Sequence, residues 1–115
     1  MSGHRLERVE SLLTEEIGRL ILSGEIKDPR VDTMAGVHGV KVSKDLTHAR
    51  VRISGYLEPT ALEAAVDGLN SAAGFIQKRL ATRITLRVTP RLQFVVDTSI
   101  EEGFRINKTI EDIVR

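Results

Sequence analysis

Cysteine is absent from the 115 residues, so neither a disulfide framework nor a thiolate metal site can hold this chain together. Tryptophan is absent too, and three phenylalanines with one tyrosine leave little material for stacking bases on aromatic platforms. No apolar run approaches a membrane span, and the polar opening Ser2, Gly3, His4, Arg5 carries no signal-peptide core. A soluble, cytoplasmic chain without a membrane partner is expected. An excess of one charge is also missing, since 17 Lys and Arg stand against 16 Asp and Glu for a formal net charge of +1. That balance excludes a polycation coating nucleic acid indiscriminately; an electrostatic partner must be met by a local patch. There is no internal repeat or low-complexity tract, and the length fits one domain over residues 1–115 with a core of its own.

What is present is most organised between Thr60 and Asp97. Thr60 and Glu63 have the spacing of a capping box, and Ala61, Leu62, Ala64, Ala65, Val66 and Leu69 continue an apolar stripe to about Asn70. A second helix carries Phe75, Ile76 and Leu80 inward, with Lys78 and Arg79 on its wetter side. Between the two, Ala72, Ala73 and Gly74 form a small-residue joint, with Gly74 as the bend. The period then changes to two. Ile84, Leu86, Val88, Leu92, Phe94 and Val96 alternate with Arg83, Thr85, Arg87, Thr89, Arg91 and Gln93, which predicts a long strand with an edge or bulge at Pro90. Five basic residues (Lys78, Arg79, Arg83, Arg87, Arg91) and no acidic one lie between Ser71 and Leu92, so the positive charge is concentrated.

Upstream, Leu6, Val9, Leu12, Leu13, Ile17, Leu20 and Ile21 predict an amphipathic helix from about His4 to Ser23, ended by Gly24 and a turn at Lys27, Asp28, Pro29 and Arg30. A strand over Ala35 to Ser43 follows, irregular at Gly36, His38 and Gly39. Ser43 to Thr47 then turns a hairpin into a strand in which Ala49, Val51 and Ile53 alternate with Arg50, Arg52 and Ser54. Beyond Asp97, Ser99 and Glu102 could cap a short helix carrying Ile106, Ile110, Ile113 and Val114. The order α, β, β, α, α, β, α predicts a two-layer α+β domain with one sheet face open.

This order, with its small-residue joint, resembles the KH-like (type II) fold. The run Leu69 to Ile76, then Val88, Pro90, Leu92, Phe94, Asp97, Ser99, Gly103, Arg105 and Ile106, is similar to the ribosome-binding factor A family. Arg5, Arg8, Val9, the turn at Asp28, Pro29 and Arg30, and the hairpin residues Ser43, Asp45, Leu46, Ala49, Val51 and Ser54 extend the resemblance over almost the whole chain. The resemblance implies a bacterial assembly factor, not an enzyme. Such a factor binds the small (30S) ribosomal subunit and its rRNA, promotes 16S rRNA maturation and matters in cold adaptation. It also implies that the Gly-x-x-Gly clamp of ordinary KH domains is replaced by an Ala-x-Gly kink, here Ala72, Ala73 and Gly74. The stretch Met34 to Gly39 departs from the family as a poorer strand.

The candidate RNA-binding set is Lys78, Arg79, Arg83, Arg87 and Arg91, joined by Lys41, Arg50 and Arg52 from neighbouring strands, because phosphate neutralisation supplies most non-specific affinity. The bland reading is a solvated charged face. Gly36, Val37, His38 and Gly39 match a KH clamp by pattern, but they run into strand residues and read better as a bulge or turn. Ser43, Asp45 and His48 crowd a hairpin with no pocket to exclude water, and His4, His38 and His48 lack ligand spacing. Neither catalysis, a metal, a cofactor nor a small-molecule substrate is therefore expected. Asp28, Pro29 and Arg30 fix the exit from the first helix, with an RNA role for Arg30 as the alternative. A free monomer is expected. The competing function is a small α+β protein-interaction module whose open sheet face or first helix meets a protein and whose arginines serve solubility.

Overall fold

Val9, Leu13, Ile17, Leu20 and Ile21, spaced for a single helical face, lie almost entirely out of solvent and form one wall of the interior. In the computed structural model, which describes residues 2–97, they belong to helix α1 (Ser2–Ser23). Leu12 falls off this stripe and is 37% exposed, contrary to its expected place in the core. Gly24 ends α1 with a φ of 73°, a left-handed conformation that glycine adopts without a Cβ penalty.

The turn after α1 is tied down by its own side chains. Asp28 accepts from the Arg30 backbone N–H at 2.9 Å and from the guanidinium at 3.0 and 2.7 Å, and Arg30 reaches Ser71 Oγ at 3.1 Å. Arg30 is thus engaged in holding the turn against the helix that carries Gly68 and Ser71. That helix comes close because Gly68 has no side chain: a Cβ there would meet Val31 Cγ2 at 2.9 Å.

Strands β1 (Ala35–Val42) and β2 (His48–Gly55) pair antiparallel. Their register shifts between Val37 and Gly39, leaving His38 as the extra residue of a bulge, so the Gly36 to Gly39 pattern is a strand irregularity and not a clamp between helices. Helices α2 (Pro59–Ser71) and α3 (Ala73–Arg83) then cross to β3 (Arg91–Val96), which runs parallel to β2 and gives the sheet order β1-β2-β3. A parallel pair requires such a long connection. The described elements form a small α+β fold with three helices and a three-stranded sheet. The expected terminal helix around Ile106, Ile110, Ile113 and Val114 lies outside the described residues.

Four local expectations are corrected. Thr60 does not cap α2: the helix starts one residue earlier, with Pro59 at its first position and Glu58 before it, and no side chain bonds the free amides. Proline suits that position because its φ is already helical and it lacks the N–H that would go unpaired. Phe75 is 41% exposed, since Ile76 and Leu80 fill the inward face of α3. The strand from Ile84 is absent; residues 84–90 form an irregular connection, and β3 begins only after Pro90, which cannot donate to a ladder. The interruption between α2 and α3 falls at Ala72 (φ −91°, ψ 4°), with Gly74 in the first turn of α3 facing open space.

Paired rows make the sheet two-sided. Val42, Ala49 and Leu92 align across the three strands, as do Val40, Val51 and Phe94, and all six are buried against the helices. Helix side chains also close the sheet's outer edges. Asn70 accepts from Phe94 N–H at 2.8 Å and donates to Phe94 C=O at 2.9 Å, Gln77 accepts from Leu92 N–H at 3.1 Å, and Glu10 accepts from Val42 N–H at 2.8 Å. Polar side chains here stand in for a missing neighbouring strand.

Candidate nucleic-acid interface

Because side chains alternate along a strand, burying Val40, Val42, Ala49, Val51, Leu92 and Phe94 forces their neighbours onto the opposite face. Lys41, Arg50 and Gln93 form one row there, His48 and Arg91 pair in a second, and Gly39, Arg52 and Val95 make a third. No carboxylate belongs to these rows, and Lys41, Arg50, Arg52 and Arg91 make no ion pair among the described residues. Lys41 and Arg50 are direct cross-strand partners, where like charges repel by a few tenths of a kcal/mol to about 1 kcal/mol in water. The fold carries that repulsion without local relief. Gly39 leaves room for the Arg52 guanidinium over β1, since a Cβ there would stand 2.5 Å from Arg52 Nη2.

The hairpin beside this face is fixed by Asp45. Its Oδ1 accepts from the Ser43 hydroxyl at 2.7 Å, the Thr47 hydroxyl at 2.7 Å and the Thr47 N–H at 3.1 Å, and Leu46 takes a φ of 64°. The Thr47 and Ser43 donors hold the Asp45 carboxyl down at about 2. His48 Nδ1 meets Thr47 Oγ1 at 2.9 Å, and its backbone N–H donates to Ser43 Oγ at 3.1 Å. Ser43, Asp45 and His48 therefore build a turn, with the serine proton directed at the carboxylate and the imidazole at a threonine. The turn also places exposed Lys44 beside the basic rows, in a depression shared with Lys41, Arg50 and Arg91. Sequence reasoning missed Lys44; its place in a five-residue turn between two basic strands was the available signal.

The remaining candidates lie elsewhere. Arg83, in the last turn of α3, bonds Glu25 Oε2 at 2.6 Å and lies 3.9 Å from Glu16; Arg79 stands 3.5 Å from Glu25 and 5.5 Å from the centre of the Phe75 ring. The Ser23 hydroxyl, followed by the Arg83 and Arg79 charges, holds the Glu25 carboxyl below its usual value. Lys78 is exposed on α3, and Arg87 is exposed in the 84–90 connection. The eight basic candidates are thus divided: Lys41, Arg50, Arg52 and Arg91 converge, Arg79 and Arg83 are neutralised by carboxylates, and Lys78 and Arg87 stand apart. A strand face bearing Arg83, Arg87 and Arg91 together does not exist, because only Arg91 is in a strand.

His38 is the bulge residue of β1, one of the two readings expected for this stretch, and its Nε2 lies 3.4 Å from the buried Asp97 carboxylate. Among the described residues no three His, Asp or Glu side chains gather as metal ligands. None of the described helices is long and apolar enough to cross a membrane.

Three comparisons bear on this arrangement. Residues 5–110 match the family model described as ribosome-binding factor A. A ribosome-binding factor A of Borreliella burgdorferi (strain ZS7) is 45% identical over 92% of this chain and 88% of its own length. Among solved structures, the crystal structure of ribosome-binding factor A from Thermus thermophilus superposes with a TM-score of 0.67 at 27% identity, covering 79% of this chain and 94% of that one. A homology model of the Thermus thermophilus factor, fitted into the cryo-EM map of a 30S complex, superposes with a TM-score of 0.57 at 27% identity, covering 76% and 93% of the two chains.

Proposed function

The chain belongs to the ribosome-binding factor A family, and from that premise we propose that it is a non-catalytic factor of KH-like, type II architecture that binds the small (30S) ribosomal subunit and promotes 16S rRNA maturation. It acts in the cytoplasm as a monomer when free and supports growth in the cold. Support for the ribosomal partner comes from the Thermus thermophilus relative fitted into a map of a 30S complex.

The observation that carries the RNA contact is the open sheet face, where Lys41, Arg50 and Arg91 are held in register, with Arg52 between them and the acidic side of α1, and none of the four makes an ion pair among the described residues. Four cations without an ion pair among the described residues are freer to neutralise phosphates than side chains already paired to Glu25 and Glu16. Few aromatics are available for stacking, so recognition rests on phosphate charge and RNA shape. The Ala72 interruption sets the angle of α2 and α3 behind the sheet and supplies no phosphate clamp.

With about four phosphates neutralised, log affinity falls with log salt at a slope of roughly −3, or about 60-fold between 50 and 200 mM. Arg50→Glu with Arg91→Glu is expected to abolish co-sedimentation with small subunits while the domain stays folded. Arg79→Ala with Arg83→Ala is expected to change affinity less than about threefold and leave the slope nearly intact. Retention of the sheet-face double variant on small subunits would overturn the assignment of the surface.

A further inference from the structure

Leu12 and Val88 are large apolar side chains left in solvent, 37% and 51% exposed, and they line one groove between the start of α1 and the 84–90 connection. Val9, Leu46, Leu86 and Pro90 extend its apolar lining, and the open groove has a volume of about 740 Å³. Its rim carries Arg5 and Arg8 from α1 and Arg87 from across the opening, and no acidic residue among the described residues lines it. The charges of α1 are sorted by side: Glu7, Glu10 and Glu15 line a different depression, against Gly39, Val40 and Arg52. None of the three rim arginines makes an ion pair among the described residues.

We propose that this groove docks an acidic, amphipathic protein segment, one that sets leucine-like side chains on the floor and carboxylates against Arg5, Arg8 and Arg87. Nucleic acid fits less well. No aromatic among the described residues lines the groove to stack a base, and a phosphate backbone would leave Leu12 and Val88 without apolar cover. A helix presenting apolar residues at i, i+3, i+4 and i+7 with acids between them satisfies floor and rim together. None of the residues lining the groove belongs to the basic sheet rows, which it adjoins through the 43–47 turn and Pro90.

The test is a methyl-labelled NMR titration of the full chain with a synthetic helical peptide bearing Leu at i, i+3, i+4 and i+7 and Glu elsewhere. Saturable shifts at the Leu12, Leu46 and Val88 methyls are expected. Affinity should fall at least about tenfold for the exposed-site variant Val88→Asp, for Arg5→Glu with Arg8→Glu, and for the same peptide with Lys in place of Glu. Equal binding of the Lys peptide, or undiminished binding by folded Val88→Asp, overturns the proposal. So does an RNA oligonucleotide that moves the same methyls, which would make the groove a nucleic-acid site. Without peptide, methyl shifts on truncation after Asp97 would mark residues 98–115 as the occupant, and concentration-dependent shifts a second copy; either result also overturns it.

Discussion

Replacing Asn70 by alanine removes the amide that closes the outer edge of β3. Two backbone groups of Phe94 lose their partners, the N–H bonded at 2.8 Å and the C=O bonded at 2.9 Å. A buried polar group left unpaired costs about 1–3 kcal/mol; water reaches this edge in part, so the two together should cost about 2 kcal/mol. With a urea m-value of about 1.5 kcal/mol/M, the unfolding midpoint falls by roughly 1.3 M. The Phe94 amide, if it exchanges by global opening, should exchange about 30-fold faster, since each 1.4 kcal/mol is a factor of ten. Gln77→Ala provides the scale, because it frees only Leu92 N–H, bonded at 3.1 Å, and should cost about half as much. Asn70→Asp should be no milder than alanine, as it keeps the acceptor for Phe94 N–H but sets a carboxylate against the Phe94 carbonyl. Urea unfolding followed by circular dichroism, with native-state hydrogen exchange, measures all three. A midpoint for Asn70→Ala within about 0.2 M of the parent, with Phe94 exchange unchanged, would refute the claim that side chains replace a strand at this edge.

Two glycines should respond with opposite signs. Gly74→Ala enters open space in a helix and should stabilise by up to about 1 kcal/mol, whereas Gly68→Ala forces Val31 and the Asp28–Arg30 turn away and should destabilise by about 1–2 kcal/mol; thermal unfolding separates them. If Gly74→Ala is more stable but loses small-subunit binding, the glycine serves the partner and not the bend. Asp28 and Asp45, each held at about 2, contribute stability that is present above the unfolded value of 3.8 and lost as the pH falls from about 4 toward 2. Asp45→Asn should therefore be less stable than the parent at pH 7, with the difference shrinking as the pH falls from about 4 through 2, as read from urea midpoints across the range; a constant difference would sink that linkage.

Much of this molecule was legible in the chain itself. The spacing of Leu13, Ile17 and Leu20 predicts α1, and the alternation around Val51 puts Arg50 and Arg52 on the face opposite the core, because side-chain direction is a local property of each element. The bulge at Gly36 to Gly39 was readable for the same reason. Alternation from Ile84 to Val88 misled, since a period of two describes any extended apolar segment; only Pro90 hinted that the ladder starts after it.

The sequence by itself determined the helical period of α1, α2 and α3, the alternation of β2, and that Arg50, Arg52 and Lys41 point away from the core. Tertiary structure alone decided which cations remain available. Glu25 pairs with both Arg79 and Arg83 from more than fifty positions away, Arg91 joins the β2 arginines only through a parallel pairing reached across two helices, and Leu12 and Val88 meet in one groove only when α1 packs beside the 84–90 connection. Periodicity is set by neighbours along the chain, but the charge a side chain presents to a partner depends on what the fold brings within a few ångströms of it.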